Sequence, residues 1–257
     1  PIPAPERRGP MPEADDPSPL RRGGRFVILF PGRTGSSWLV SALDGHPRID
    51  VRGEILVGRS PTEQRGLVEE RLGAAPPPDG SRGFKTKLKD VADLDGLRTA
   101  IGDEVAVVHM VRRDLLRLAI STVNARRLHR RTGRWNRADG VRALPPLDVE
   151  IDVLLATIDE CDAAVETLAG YVSTLAAPVL EVEYANVLDD PSGLLERVQR
   201  HVGVASRPLS SGVLKNTGTD LREAVADFDR LTRDLAGSRW SRLLEDLDPA
   251  EEHAPRD

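Results

Sequence analysis

Apolar and polar residues alternate in blocks along the chain, and these blocks predict strands and helices that follow one another in turn. Two apolar runs, 26–30 and 105–111, are bounded by turn-forming residues and predict buried strands. Less uniformly apolar segments predict three more strands, at 49–51, 83–88 and 179–184. Helical periodicity predicts the intervening helices, at 36–43, 62–72, 91–101, 114–128, 151–176, 191–202 and 221–231.

This alternation favours an α/β fold, with a mostly parallel sheet flanked by helices. In such sheets a ligand binds beyond the carboxyl ends of the strands. The 257 residues, 39% of them hydrophobic, suffice for one core, and we expect a single domain over 25–247. The ends, 1–24 and 248–257, are rich in Pro and charged residues, and we expect a disordered arm and a flexible tail.

Charge and cysteine content narrow the class of protein. A net charge of −5 and a pI of about 5.7 argue against a nucleic-acid partner. The single cysteine, Cys161, excludes a disulfide framework and a multi-cysteine metal site. No apolar run approaches the roughly 18–20 residues of a membrane span, and no signal peptide is visible. We therefore expect a cytoplasmic protein with no membrane span and no bound metal.

The residues after the first strand predict an anion site. The loop 31–35 is tight and rich in Gly, and Ser36 or Ser37 is expected to cap the helix that follows. Free N–H groups and the helix dipole favour negative charge at such a helix start, and Arg33 adds a fork of donors. The loop departs from the P-loop of NTPases, because it has no Lys at the helix start and only two residues between its glycines. A Gly turn that merely joins a core strand to a core helix is the alternative interpretation.

The loop resembles the 5′-phosphosulfate loop of sulfotransferases that use 3′-phosphoadenosine 5′-phosphosulfate (PAPS), where PR(S/T)GS(S/T) joins a strand to a helix. A second motif agrees with the first: Arg113 follows the strand 105–111, and Ser121 lies eight residues later, as in the family's 3′-phosphate site. A surface salt bridge is the alternative role of Arg113.

Later stretches follow the family's chain order. They are 180–184, where Glu183 precedes Tyr184 instead of following it, then 189–204 and 214–221. The stretch 125–135 resembles the bacterial carbohydrate-type branch, whose members are trehalose 2-sulfotransferase-like and nodulation-factor sulfotransferase-like. The resemblance covers about 26–231 and implies the sulfotransferase fold.

The resemblance also implies a donor site for PAPS, with PAP as product and no metal. The implied cofactor-binding residues are Arg33, Thr34, Gly35, Ser36, Ser37, Trp38, Arg113, Ser121, Tyr184, Lys215, Asn216 and Thr217. Core packing is the alternative role of Trp38 and Tyr184, and a solvated turn is the alternative for 215–217.

Sulfuryl transfer needs a base for the acceptor hydroxyl and stabilisation of charge on the leaving phosphate. The resemblance implies Glu54 as the base; a surface or helix-capping Glu is the alternative. In the cytosolic aryl and steroid enzymes the base is a His after a Lys-Thr pair, but here Lys87 occupies that position. Lys85 is expected to help hold the sulfuryl group, or to be structural, and Arg33 to stabilise charge.

The sequence thus predicts an enzyme that sulfates a hydroxyl of a small acceptor, either a carbohydrate, a glycolipid or a secondary metabolite. The alternatives are a non-catalytic nucleotide-binding module and, more weakly, a P-loop kinase. The basic segment 129–146 is interpreted as a solvated loop or as a lid over the acceptor pocket; a nucleic-acid patch has poor support. Relatives in this branch are often dimers, which makes a homodimer a candidate.

Overall fold

The computed structural model describes residues 24–135, 144–213, 220–245 and 247. Its sheet has five parallel strands in the order β2-β3-β1-β4-β5. The strands are β1 (Gly24–Leu29), β2 (Ile49–Arg52), β3 (Ser81–Thr86), β4 (Ala106–Val111) and β5 (Val179–Glu183). The predicted α/β class with a parallel sheet is confirmed.

Helices follow the strands and cover both faces of the sheet. They are α1 (Ser36–Asp44), α2 (Pro61–Val68), α3 (Leu94–Ile101), α4 (Leu115–Thr132), α5 (Ile151–Ser173), α6 (Tyr184–Asp189), α7 (Pro191–His201), α8 (Leu221–Ala224) and α9 (Phe228–Ala236). A π-helical turn spans Glu69–Gly73, and 3₁₀ turns span Leu88–Asp90 and Ser241–Leu244.

The predicted helix boundaries differ most from the structure at two places. The helix expected over 221–231 is divided into α8 and α9, because Val225 leaves the helix to form a bridge with Leu147 and Asp227 then caps α9. Helix α4 continues to Thr132, so the first residues of the predicted basic loop are helical.

The central position of β1 explains its continuous apolar sequence. Phe26 and Ile28 pack into one core cluster with α1 and α7, whereas Val27 and Leu29 pack into another with α3 and α5. A strand covered on both faces has no polar side, so period-2 alternation is absent.

The topology brings two loops together at one end of the sheet. The chain leaves β1 towards β2 on one side and later reaches β4 on the other side, so the order reverses between β1 and β4. Ligands of open α/β sheets bind at such a switch point. The loop 31–35 and the residues after β4 therefore face the same crevice.

Several predictions fall on residues outside the described part of the chain. They concern the N-terminal arm up to residue 23, the segment 136–143, the tail from residue 248, and the binding residues Lys215, Asn216 and Thr217.

Close packing of β3 on β1 predicts a stability effect at Gly83. A Cβ atom there would lie 2.3 Å from the Phe26 carbonyl oxygen and 2.6 Å from the Phe26 ring. We expect Gly83→Ala to lower the free energy of unfolding by about 1–3 kcal/mol, because two paired strands cannot move apart cheaply. Urea denaturation measures the change.

The matched control is Gly66→Ala on α2, where nothing lies within 4 Å of the new Cβ. Because Ala forms helix better than Gly, this variant should be unchanged or more stable by up to ~1 kcal/mol. Equal stability changes in the two variants would contradict the packing argument.

Candidate active site

The loop after β1 has the backbone of an anion cradle. Gly32, Arg33 and Gly35 all have positive φ, at 128°, 51° and 80°. Gly35 is the N-cap of α1, and no side chain caps this helix. The prediction that Ser36 or Ser37 caps α1 is wrong, because Gly35 makes the turn. The first-turn N–H groups are thus left without a side-chain acceptor, as an anion site requires.

Thr34 and Gly35 show how tightly this loop is enclosed. Thr34 is fully buried, and its Oγ1 has no hydrogen-bond partner among the described residues. A Cβ atom at Gly35 would lie 3.2 Å from the Tyr184 ring, so the close approach of the ring favours glycine there. The predicted site residue Tyr184 thus packs directly on the loop.

Arg112 braces the loop from the end of β4. This buried guanidinium lies 4.3 Å from the centroid of the Tyr184 ring, and its Nη1 donates to the Arg33 carbonyl oxygen at 3.1 Å. Sequence reasoning missed Arg112. The doubled arginine at 112–113 was the available signal, since adjacent residues at a strand end point to opposite sides.

The side chain of Arg113, the predicted 3′-phosphate residue, lies on the other side of the end of β4. Its side chain is two-thirds exposed and binds the carboxylates of Glu181 and Glu183 on β5. These partners raise the pKa of Arg113, with the hydrogen bond to Glu181 the largest cause. The structure therefore does not bring Arg113 together with Ser121.

Ser121 instead contacts the loop. Arg33 Nε donates to Ser121 Oγ at 3.3 Å, and Arg33 Nη1 donates to the Trp135 carbonyl oxygen at 3.3 Å. Burial and the nearby charge of Arg112 lower the pKa of Arg33, yet a guanidinium stays charged at any pH of interest. The two predicted phosphate motifs thus meet through Arg33.

A lysine joins the loop to the predicted base. Lys85, at the buried end of β3, donates from Nζ to Ser37 Oγ at 2.9 Å and to Ser36 Oγ at 3.4 Å. The same Nζ lies 3.4 Å from Glu54 Oε1. The predicted residues Glu54, Lys85, Ser36 and Ser37 are therefore brought together.

Lys87 is a second cation on Glu54. Its ammonium donates to Glu54 Oε2 and also lies 3.0 Å from Asp90 Oδ2. Both Lys85 and Lys87 lie over the Phe30 ring, at 5.1 and 5.3 Å from its centroid. The sequence indicated only that Lys87 stands where the cytosolic aryl and steroid sulfotransferases have a His; its pairing with Glu54 was not predicted.

These charges set the protonation of the site. Burial alone would raise the pKa of Glu54, but the hydrogen bond from Lys87 and the charges of both lysines outweigh it and hold that pKa below its ordinary value. Burial is the largest influence on Lys85, and together with Lys87 and Arg33 it lowers that pKa despite the opposing effect of Glu54. Burial would also lower the pKa of Lys87, but Glu54 and Asp90 raise it. Glu54 is thus ionised and able to accept a proton.

The remaining predicted residue, Trp38, is half-buried on α1. It packs against the core cluster that contains Phe26 and Leu39. This position is compatible with its alternative role in core packing.

Metal binding and membrane insertion each have a structural signature, and neither signature occurs in the described part of the chain. No three His, Cys, Asp or Glu side chains there are grouped so as to hold a metal ion. None of the helices there is both long enough and apolar enough to cross a membrane.

The chain is similar to one curated protein along most of its length. Nodulation protein H of Rhizobium tropici is 26% identical over 247 residues, which cover 88% of this chain and 94% of the relative. No family model matches the chain. With the loop and strand-end motifs, this similarity confirms the predicted family. The chain is similar to the sulfotransferase family over most of its length.

Solved structures of sulfotransferases align with this sulfotransferase at low similarity. The enzyme of Alicyclobacillus acidocaldarius is 17% identical with a TM-score of 0.44, and the alignment covers 86% of this chain and 96% of that chain. Mouse sulfotransferase SULT7A1, solved in complex with PAP, is 12% identical with a TM-score of 0.45, covering 88% and 89%. We transfer no residue roles from these alignments.

The pairing of Lys87 with Glu54 predicts how sulfuryl transfer depends on pH. A carboxylate with a lowered pKa stays ionised to lower pH, so activity that needs ionised Glu54 persists on the acid side. Lys87→Gln removes the main interaction that lowers this pKa, and the acid limb of kcat/KM should move to higher pH. Initial rates across the acid range measure the shift.

The matched control is Lys89→Gln, an identical change at an exposed position two residues later. Its acid limb should coincide with that of the unchanged enzyme. An acid limb that stays in place in Lys87→Gln would contradict ionised Glu54 as the group that controls activity.

Proposed function

We propose that this sulfotransferase moves the sulfuryl group of PAPS to a hydroxyl of a carbohydrate or glycolipid acceptor, with Glu54 as the general base. One observation carries the proposal: Lys85 contacts both Ser37, in the first turn of α1 directly after the anion loop, and Glu54. A carboxylate is thereby held next to the loop in which the reacting group would sit.

The loop fits a phosphosulfate group. Its helix start lacks a side-chain cap, its backbone turns at two glycines, and the hydroxyl of Thr34 is buried without a partner among the described residues. The N–H groups that follow Gly35 would hold the 5′ end of the donor, with Arg33 and Lys85 supplying positive charge. When bound, the donor supplies the sulfuryl group and a phosphate leaving group.

The chain's own residues would then have separate roles in the reaction. Glu54 accepts the proton of the acceptor hydroxyl as the oxygen approaches sulfur in line. Arg33 and Lys85 stabilise the negative charge that develops on the phosphate side, and no metal is needed for this role. Lys87 keeps Glu54 ionised and holds its carboxylate in place.

For the 3′-phosphate, we assign Arg112 with Ser121. Arg112 is buried at the switch point and bonds to the backbone of Arg33, whose side chain bonds to Ser121. Arg113 would have to leave two carboxylates to serve this role. The adenosine would lie near Tyr184, which packs between Arg112 and Gly35.

Replacing the base tests catalysis. We expect Glu54→Gln to lower kcat by about 10²–10⁴-fold, the usual contribution of a general base, and to leave the Kd for PAP unchanged. Transfer of labelled sulfate from PAPS to a panel of neutral sugars that includes trehalose measures the rate, and calorimetry measures PAP binding. Glu70→Gln, an identical change at an exposed position, is the control.

Two results of this test would contradict the proposal. Unchanged transfer by Glu54→Gln would remove Glu54 as the base. PAP binding by all three proteins, with transfer by none to any sugar tried, would favour a non-catalytic nucleotide-binding module.

A pair of arginine variants tests the donor site. We expect Arg112→Gln to weaken PAP binding by roughly 10–100-fold, as for loss of charge-assisted hydrogen bonds, and Arg113→Gln to change it by less than about threefold. Because Arg112 is buried, Arg112→Lys serves as a second variant that keeps the charge but loses the planar fork; it should be intermediate. A larger loss of PAP binding in Arg113→Gln than in Arg112→Gln would instead assign the 3′-phosphate to Arg113.

A further inference from the structure

The end of α4 carries a stacked aromatic pair. Gly133, with φ of 69°, ends the helix and turns the chain back. Trp135 then lies on the ring of His129, with centroids 4.2 Å apart and an interplanar angle of 7°. The pair forms a flat plate, which we call the Trp135–His129 plate.

Trp135 is exposed, unlike the other two tryptophans of the chain. Trp135 is 53% exposed, whereas Trp240 is buried and donates to Asp159, and Trp38 packs against the core. Only 4% of the residues in the chain are aromatic. A large exposed ring is costly in water, and exposed Trp is typical of recognition surfaces.

The backbone that carries the plate contacts the anion loop. The Trp135 carbonyl oxygen accepts a hydrogen bond from Arg33 Nη1 at 3.3 Å. A molecule resting on Trp135 would therefore lie close to Arg33 of this loop.

The segment that carries the plate is also basic. Three of its exposed residues are arginines, namely Arg130, Arg131 and Arg134. A pyranose has one face of C–H groups and a rim of hydroxyls. Its C–H face matches an indole, and its rim matches the donors of arginine side chains.

We propose that the Trp135–His129 plate is the acceptor subsite and stacks against a pyranose ring of the carbohydrate or glycolipid. The inference rests on the proposed function and assigns the acceptor class to named residues. Donor adenine is the competing occupant, but Tyr184 and Arg112 already furnish an aromatic ring and a cation against the loop at Gly35.

The test compares Trp135→Ala and Trp135→Phe with the unchanged enzyme, all loaded with PAP. Saturation-transfer NMR with trehalose and with a tetramer of N-acetylglucosamine reports which sugar protons touch the protein. We expect signals from ring C–H protons in the unchanged enzyme, their loss in Trp135→Ala and partial retention in Trp135→Phe. In the transfer assay, Trp135→Ala should raise KM for the sugar roughly tenfold with little change in kcat.

The control is Val153→Ala, which truncates an apolar side chain of similar exposure, 52%, on α5 and should alter neither measurement. Calorimetry with PAP separates a failure of the proposed function from a failure of the proposed subsite. Failure of the unchanged enzyme to bind PAP would overturn the proposed function itself.

If PAP binds normally, three results would overturn the subsite alone. They are sugar binding that is unchanged in Trp135→Ala, weaker binding of PAP in that variant, which would give the plate to adenine, and an unchanged enzyme that shows no contact with either sugar.

Discussion

The buried ammonium of Lys85 connects the parts on which the site depends. It lies at the end of β3 and touches the first-turn serines of α1 and the carboxylate of Glu54. A buried charge is tolerated only when it is paired and hydrogen-bonded, so each of these contacts is required by the others. The Lys85 side chain thereby holds the Glu54 carboxylate next to the first turn of α1.

The fold could be predicted from the sequence because its strands are buried on both faces. Runs such as 105–111 are apolar throughout, and Gly or Pro residues bound several of the elements. The exceptions have local causes. The helix expected over 221–231 breaks because Val225 pairs with Leu147, a contact between residues far apart in the chain that no local pattern records.

The site could be predicted in part. The loop pattern predicted an anion cradle with Arg33 and Gly35, and the resemblance predicted Glu54 as the base. The sequence favoured Arg113 for the 3′-phosphate site and gave no reason to consider Arg112, because no local pattern shows which side of the strand end faces the crevice. The charge of Lys87 was equally visible in the sequence, but its pairing with Glu54 and Asp90 depends on how the loop after β2 folds against the 3₁₀ turn after β3.

The crowding of positive charge around the loop has a consequence for folding. Arg33, Arg112 and Lys85 are largely withdrawn from water, and the charge of Arg112 lowers the pKa of Arg33. The mutual repulsion of Arg33 and Arg112 weakens the native state, whereas Lys85 has Glu54 as its counter-charge. A polyanionic nucleotide would relieve this repulsion, so occupancy of the donor cleft and thermodynamic stability are linked quantities.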